Sequence, residues 1–171
     1  MLARMTTNDG EPALTASWAD FAAAAPELAG FVRERLQAHR HLVMGTLRAD
    51  GSPRLSGVEL TIRGGELWIG GLLGSRKFDD LRRDPRLAVH SGSDDPPGFR
   101  GDARISGRAV LVDDEAAKAA FIGAVGGPPH PFELVRVKIT EVSTVEEAPS
   151  RDHLVISAWR PGGPVRRIER R

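Results

Sequence analysis

A chain of 171 residues, 40% hydrophobic and 27% charged, is long enough for one domain with a real hydrophobic core. It contains no cysteine, which excludes disulfide stapling, thiolate catalysis and cysteine-ligated metal sites and makes a cytoplasmic setting the expectation. A formal net charge of +1 points to no particular partner, and no apolar run approaches the roughly 20 residues that cross a bilayer, so no membrane association is expected.

Residues 1–16 are small and polar, and Met1-Leu2-Ala3-Arg4-Met5 lacks the apolar centre of a signal peptide. They read as a loose lead-in. Ser17 is placed to cap a short helix carrying Trp18, Phe21 and Ala22. Pro26 then suits the first turn of a second helix, in which Leu28, Phe31, Val32, Arg35 and Leu36 follow helical spacing to an end near His39. From His41 to Arg48 the pattern changes to a strand, and Asp50-Gly51 is a hairpin signal. Pro53 to Ile62 answers as the second strand, Gly64-Gly65 turns the chain, and Leu67 to Gly70 is the third.

A helix is predicted from Ser75 to Arg83, followed by a strand over Arg86 to His90. A loop over 92–101 leads to a strand over Asp102 to Val112, and Asp113 or Asp114 caps a helix through Phe121 and Ile122. The stretch Gly126-Gly127-Pro128-Pro129 is irregular. Phe132 to Val142 alternates Val135, Val137 and Ile139 against Arg136, Lys138 and Thr140, the mark of a half-exposed strand, and His153 to Trp159 is the last. Residues 17–160 thus form one domain, mainly β with inserted helices. Six or seven short antiparallel strands favour a closed or nearly closed barrel, with an open α+β sheet as the alternative. Five of the last twelve residues are arginine, and 161–171 reads as a basic tail. Without interleaved aromatics it is solvated or folds over a pocket, and nucleic acid is not expected as a partner.

The turn at Gly74-Ser75-Arg76-Lys77 carries the chemistry. Two cations in a first helical turn oppose the positive end of the helix dipole. An anion would resolve the conflict, because a phosphate could accept from free backbone amides, the Ser75 hydroxyl and both cations. Plain solvation of the basic pair is the alternative. The spacing matches neither a Walker loop nor a dinucleotide fingerprint. His39, His41, His90, His130 and His153 lack ligand spacing, and only His90 is a candidate near substrate.

Three stretches resemble, in order, the pyridoxamine 5'-phosphate oxidase family of FMN-binding split β-barrels. They are Thr46-Leu47-Arg48-Ala49-Asp50-Gly51-Ser52-Pro53, then Gly74-Ser75-Arg76-Lys77 with Leu81-Arg82-Arg83-Asp84-Pro85-Arg86-Leu87-Ala88-Val89, and Asp102-Ala103-Arg104-Ile105-Ser106-Gly107-Arg108-Ala109. The resemblance implies an oxidoreductase acting on a small molecule, with FMN at the interface of a homodimer. It puts Arg76 and Lys77 on the phosphate with Ser75 capping, and Ser56, Gly57, Val58 and Glu59 along the flavin ring. Ile69 and Gly70 would line the same pocket, and Asp102 and Trp159 would come from the second subunit. Gly57 would admit a flat ring or mark a bulge, and Trp159 would otherwise be core.

Two departures from the oxidase argue against pyridoxamine phosphate as substrate. Ser56 stands where the oxidase has an arginine that helps hold the phosphate, leaving Arg54, two residues away on the same strand face, as the cofactor-binding candidate there, and no Arg-x-His element occurs near the C-terminus. A deazaflavin coenzyme on the same fold, and a flavin carrier without turnover, are the alternative readings. No catalytic side chain and no metal ligand is assigned.

Overall fold

The computed structural model describes residues 14–95, 97–126 and 131–171. Two helices come first. Helix α1 (Trp18–Ala24) starts at a capping box in which Ser17 accepts from the Asp20 amide and the Asp20 carboxylate accepts from the Ser17 amide. Helix α2 (Pro26–Ala38) has proline in its first turn and buries Leu28, Val32, Arg35 and Leu36.

Nine strands follow among the described residues: β1 (Leu42–Leu47), β2 (Pro53–Val58), β3 (Leu60–Arg63), β4 (Glu66–Leu72), β5 (Arg86–His90), β6 (Asp102–Leu111), β7 (Phe132–Glu147), β8 (Leu154–Trp159) and β9 (Arg166–Arg170). Helix α3 (Arg76–Arg83) joins β4 to β5, and α4 (Glu115–Val125) joins β6 to β7. Every named pairing is antiparallel, in the order β2-β1-β5-β6-β7-β4-β3, with β8 on β7 and β9 on β8. The two ends of that order, β2 and β3, are separated in the chain by Glu59 alone. The sheet therefore curls until its first and last strands come together at that corner, although no ladder pairs β2 with β3 among the described residues.

Three differences from the sequence reading have physical causes. The strand expected over Pro53 to Ile62 is two strands, because the chain leaves β1 at Val58 and takes up β4 from Leu60. Strand β7 runs five residues past its expected end, since its distal half is shared by β6 and β8. The arginine-rich segment is paired with β8 from Ala158↔Arg166 to Leu154↔Arg170 rather than hanging free. All five residues of β9 are exposed, so no burial pattern marked it as a strand. Of the lead-in, residues 1–13 lie outside the described residues, while Ala16 is buried and bridges Ile139. The turn at 126–129 is described only at Gly126, which is left-handed and ends α4. Among the described residues no helix is long and apolar enough to cross a membrane.

The core lies between the curled sheet and the helices, and includes Phe21, Met44, Ile69, Phe78, Ile105, Leu134 and Ile139. Phe21 packs edge-on against Trp18, with centroids 5.4 Å apart, and obliquely on Trp159 at 4.9 Å. The link from α3 to β5 is fixed by Asp84, whose carboxylate accepts from the Arg86 amide and guanidinium. Hydrogen bonds from Arg86 hold the Asp84 carboxyl down at about 2, against an ordinary 3.8. A carboxyl lowered by folding contributes stability that is present above its unfolded value and is lost as pH falls through the folded value. Acid titration should therefore weaken the fold between about pH 4 and 2, and Asp84→Asn should flatten that part of the stability curve. Urea midpoints measured across this pH range check it.

Candidate functional site

A cleft of about 720 Å³ opens where β2, β4, α3 and α4 converge, within the range typical of small-molecule sites. Its walls include Gly57, Val58 and Glu59 from the β2–β3 corner and Gly70, Gly71 and Leu72 from β4. Ser75 and Lys77 line it from the start of α3, and Phe121, Ile122 and Val125 from α4. Arg40, His41, Thr61 and Phe132 complete the lining, together with Gly126.

Six residues singled out in the sequence thus meet in one cleft: Gly57, Val58, Glu59, Gly70, Ser75 and Lys77. Strand alternation explains much of what was left out. Gly70 faces the cleft while Ile69 is fully buried on the core side. Arg54 and Ser56 share the face of Val58, and the Arg54 Nε donates to the buried Asp80 carboxylate at 2.6 Å. Neither Arg54 nor Ser56 lines the cleft. Arg76 is exposed beside it on the first turn of α3. Trp159 is buried against Phe21 of its own chain. Asp102 accepts from the Ser93 hydroxyl at 3.2 Å and lies 3.7 Å from His90 Nε2, away from the cleft. His90 accepts the Gly92 amide through Nδ1, which shapes the turn after β5.

The start of α3 differs in one detail from expectation. Ser75 holds the N-cap position, yet its hydroxyl donates back to the Leu72 carbonyl at 2.7 Å and caps no amide. The Phe78 amide is satisfied by the Ser75 carbonyl, while those of Arg76 and Lys77 precede the first intrahelical bonds. Neither the Arg76 nor the Lys77 side chain forms an ion pair among the described residues. Lys77 lies over the Phe78 ring, its Nζ 5.3 Å from the centroid. Burial without a compensating charge pushes the Lys77 ammonium below its ordinary value. Arg76 and Lys77 thus put two cations, unpaired among the described residues, at the positive end of a helix, where they oppose its dipole.

Two glycines of the cleft wall stand there under different constraints. A Cβ on Gly71 would come within 2.7 Å of the Phe78 ring and 3.3 Å of the Lys77 side chain, so glycine is what lets α3 press onto β4. A Cβ on Gly57 would meet nothing within 4 Å, and the β1–β2 register runs unbroken through Val43↔Gly57, so there is no bulge. Among the described residues nothing requires glycine there, although glycine in a strand costs about 0.5–1 kcal/mol relative to alanine. Its bare backbone faces outward into the cleft, open to a partner from outside the chain.

The cleft residues the sequence reading missed carry weaker signals. Phe121, Ile122 and Val125 have the spacing of one helix face, yet none is buried; Phe121 instead stacks obliquely on Trp68 at 5.7 Å.

The sequence matches the family model described as pyridoxamine 5'-phosphate oxidase over residues 28–146, well over half of the chain. The chain belongs to the pyridoxamine 5'-phosphate oxidase family. The match takes in the cleft strands, α3 and α4. No curated protein matches the sequence. Among solved structures, a pyridoxamine 5'-phosphate oxidase-related, FMN-binding protein from Nostoc punctiforme is 16% identical with a TM-score of 0.58, covering 86% of this chain and 96% of that one. ChuZ from Campylobacter jejuni is 14% identical with a TM-score of 0.61, over 80% of this chain and 61% of that one. General Stress Protein 26 from Bacillus anthracis is 18% identical with a TM-score of 0.54, over 67% and 91%. At such identities these likenesses establish the family's split-barrel fold, and the chemistry has to be argued from this chain's residues.

Proposed function

We propose that the cleft holds a phosphate-bearing flavin, with FMN as the first candidate and a deazaflavin coenzyme as the second, and that the protein is an oxidoreductase acting on a small molecule. The observation that carries this reading is the unpaired pair Arg76 and Lys77 at the start of α3, on the rim of a cleft walled by glycine backbone. Family membership and the FMN-binding relative from Nostoc punctiforme support it.

In this reading the coenzyme supplies the electron or hydride chemistry. Arg76, Lys77 and the free amides at the start of α3 bind its phosphate. The backbone of Gly57, Val58 and Glu59 orients the ring on one side, and Phe121, Ile122 and Val125 shed water from the other. Glu59 accepts from Arg40 Nε at 3.0 Å and lies 3.5 Å from His41 Nε2, giving the cleft a charged rim away from Lys77. No side chain is assigned a covalent role.

A second copy of the chain fits the outward face of the β1–β2 hairpin. Val43, Gly45, Leu55 and Gly57 share that face, and Leu55 is 75% exposed. A homodimer would cover this apolar strip and bring the partner's side chains to the flavin, and Asp102 belongs to the proposal as a partner contribution, whereas Trp159, buried against Phe21 of its own chain, is a core residue. The test is a titration with FMN and, separately, with a deazaflavin coenzyme, followed by absorbance, with reduction by NADH or NADPH read against free coenzyme. Saturable binding of one coenzyme and accelerated reduction are expected. Failure to bind either would overturn the reading, and binding without accelerated reduction would make the protein a carrier.

A further inference from the structure

Asp80 is a buried acid that the cleft does not use. It sits one helical turn beyond Arg76 and Lys77, only 3% exposed. Three side chains donate to its carboxylate: Thr46 Oγ1 on β1 at 2.9 Å, Arg54 Nε on β2 at 2.6 Å, and Arg83 on α3 itself at 3.3 Å. Arg83 also donates to the Leu47 carbonyl, and Arg82 reaches Glu133 on β7 at 2.6 Å. The short helix is thus tied on one side to the β1–β2 hairpin and on the other to β7.

A network of this kind is a poor source of net stability. Desolvating a carboxylate and a guanidinium offsets most of their attraction, and apolar replacements often serve as well. What it supplies is geometry, because several directed bonds converge on one carboxylate. Burial works to raise the Asp80 carboxyl, but the bonds from Arg54, Thr46 and Arg83 prevail and hold it below its ordinary value, so it is ionised at neutral pH.

We infer that Asp80 is the positioning residue of the anion site, holding the first turn of α3 where Arg76 and Lys77 meet a phosphate, and that Arg54 serves the site through Asp80 rather than by touching the phosphate. The inference rests on the flavin reading. It predicts a loss confined to the phosphate end of the ligand. The probes are therefore FMN and riboflavin, which share the ring and differ in the phosphate, titrated by flavin fluorescence into full-length protein.

Wild type should prefer FMN. Asp80→Asn should weaken FMN binding roughly tenfold and riboflavin binding less than about twofold, as for outer partners that orient a binding group. Arg54→Gln, at a less buried position than Asp80, should shift the same ratio in the same direction. Val142→Ala, a core truncation on β7, supplies the contrast: it lowers the melting temperature and leaves the ratio alone. A wild-type preference for FMN that both site variants retain overturns the positioning role and leaves the flavin reading standing. Parallel loss of both ligands also overturns it, by making Asp80 a general support of the fold. A wild type that binds neither ligand overturns the flavin reading, and the inference with it.

Discussion

Replacing Arg76 and Lys77 together with alanine is expected to weaken flavin binding by about 10²–10³-fold while leaving the fold intact. Hydrogen bonds to charged groups contribute about 1.5–3 kcal/mol each, and every 1.4 kcal/mol is a factor of ten in affinity. Arg76 is exposed and screened by water, which puts it at the low end; half-buried Lys77 belongs higher. The fold should not suffer, because neither side chain has an ion-pair partner to leave behind and both oppose the helix dipole. A slight rise in melting temperature would be in keeping with that. Equilibrium titration with FMN, alongside a thermal melt, reads both quantities. Unchanged affinity would remove the phosphate from this turn.

Phe78→Ala is expected to produce the largest loss of stability near the site. The ring is fully buried, under Gly71 and beside Lys77, and is the main apolar anchor of α3 together with Leu81. Truncating a buried phenylalanine costs about 3–5 kcal/mol, from lost transfer energy and the cavity left behind. Against a total of about 5–15 kcal/mol, this leaves a weakened but foldable protein, with a melting temperature lowered by roughly 10 °C. The ring also supports Lys77, so phosphate affinity should fall in the same variant. Urea unfolding checks the first effect. A loss under about 1 kcal/mol would mean α3 is held mainly by its polar ties to Thr46, Arg54 and Glu133.

Local signals carried much of this structure. Ser17, Pro26, Asp50-Gly51 and Asp114 act through one or two turns of chain, so the helix starts and the first hairpin lie where the sequence puts them. The turn proposed to hold an anion stood out for a similar reason: two cations against a helix dipole conflict locally, whatever the rest of the fold does. Strand alternation also reads directly, and separates Gly70 from Ile69.

Long-range partners did not show. The break at Glu59 depends on β2 and β3 finding different neighbours, which no local pattern records. Strand β9 is exposed on all five residues, so it lacks the periodicity that marks a strand. The burial of Asp80 was hidden because Asp79 beside it in sequence is exposed, and only packing against Thr46 and Arg54 tells them apart. The same contact explains the placement of Arg54. A guanidinium on the right strand face was read as reaching for phosphate, whereas a buried carboxylate lies closer at hand.

Phosphorus NMR of FMN mixed with the protein, followed as pH is lowered, tests most directly whether α3 grips a dianion. The dianion of a free phosphate monoester takes up a proton near pH 6, whereas one clasped between Arg76 and Lys77 should stay doubly charged to well below pH 5. The clasp would be contradicted by bound flavin whose phosphate titrates as it does in water.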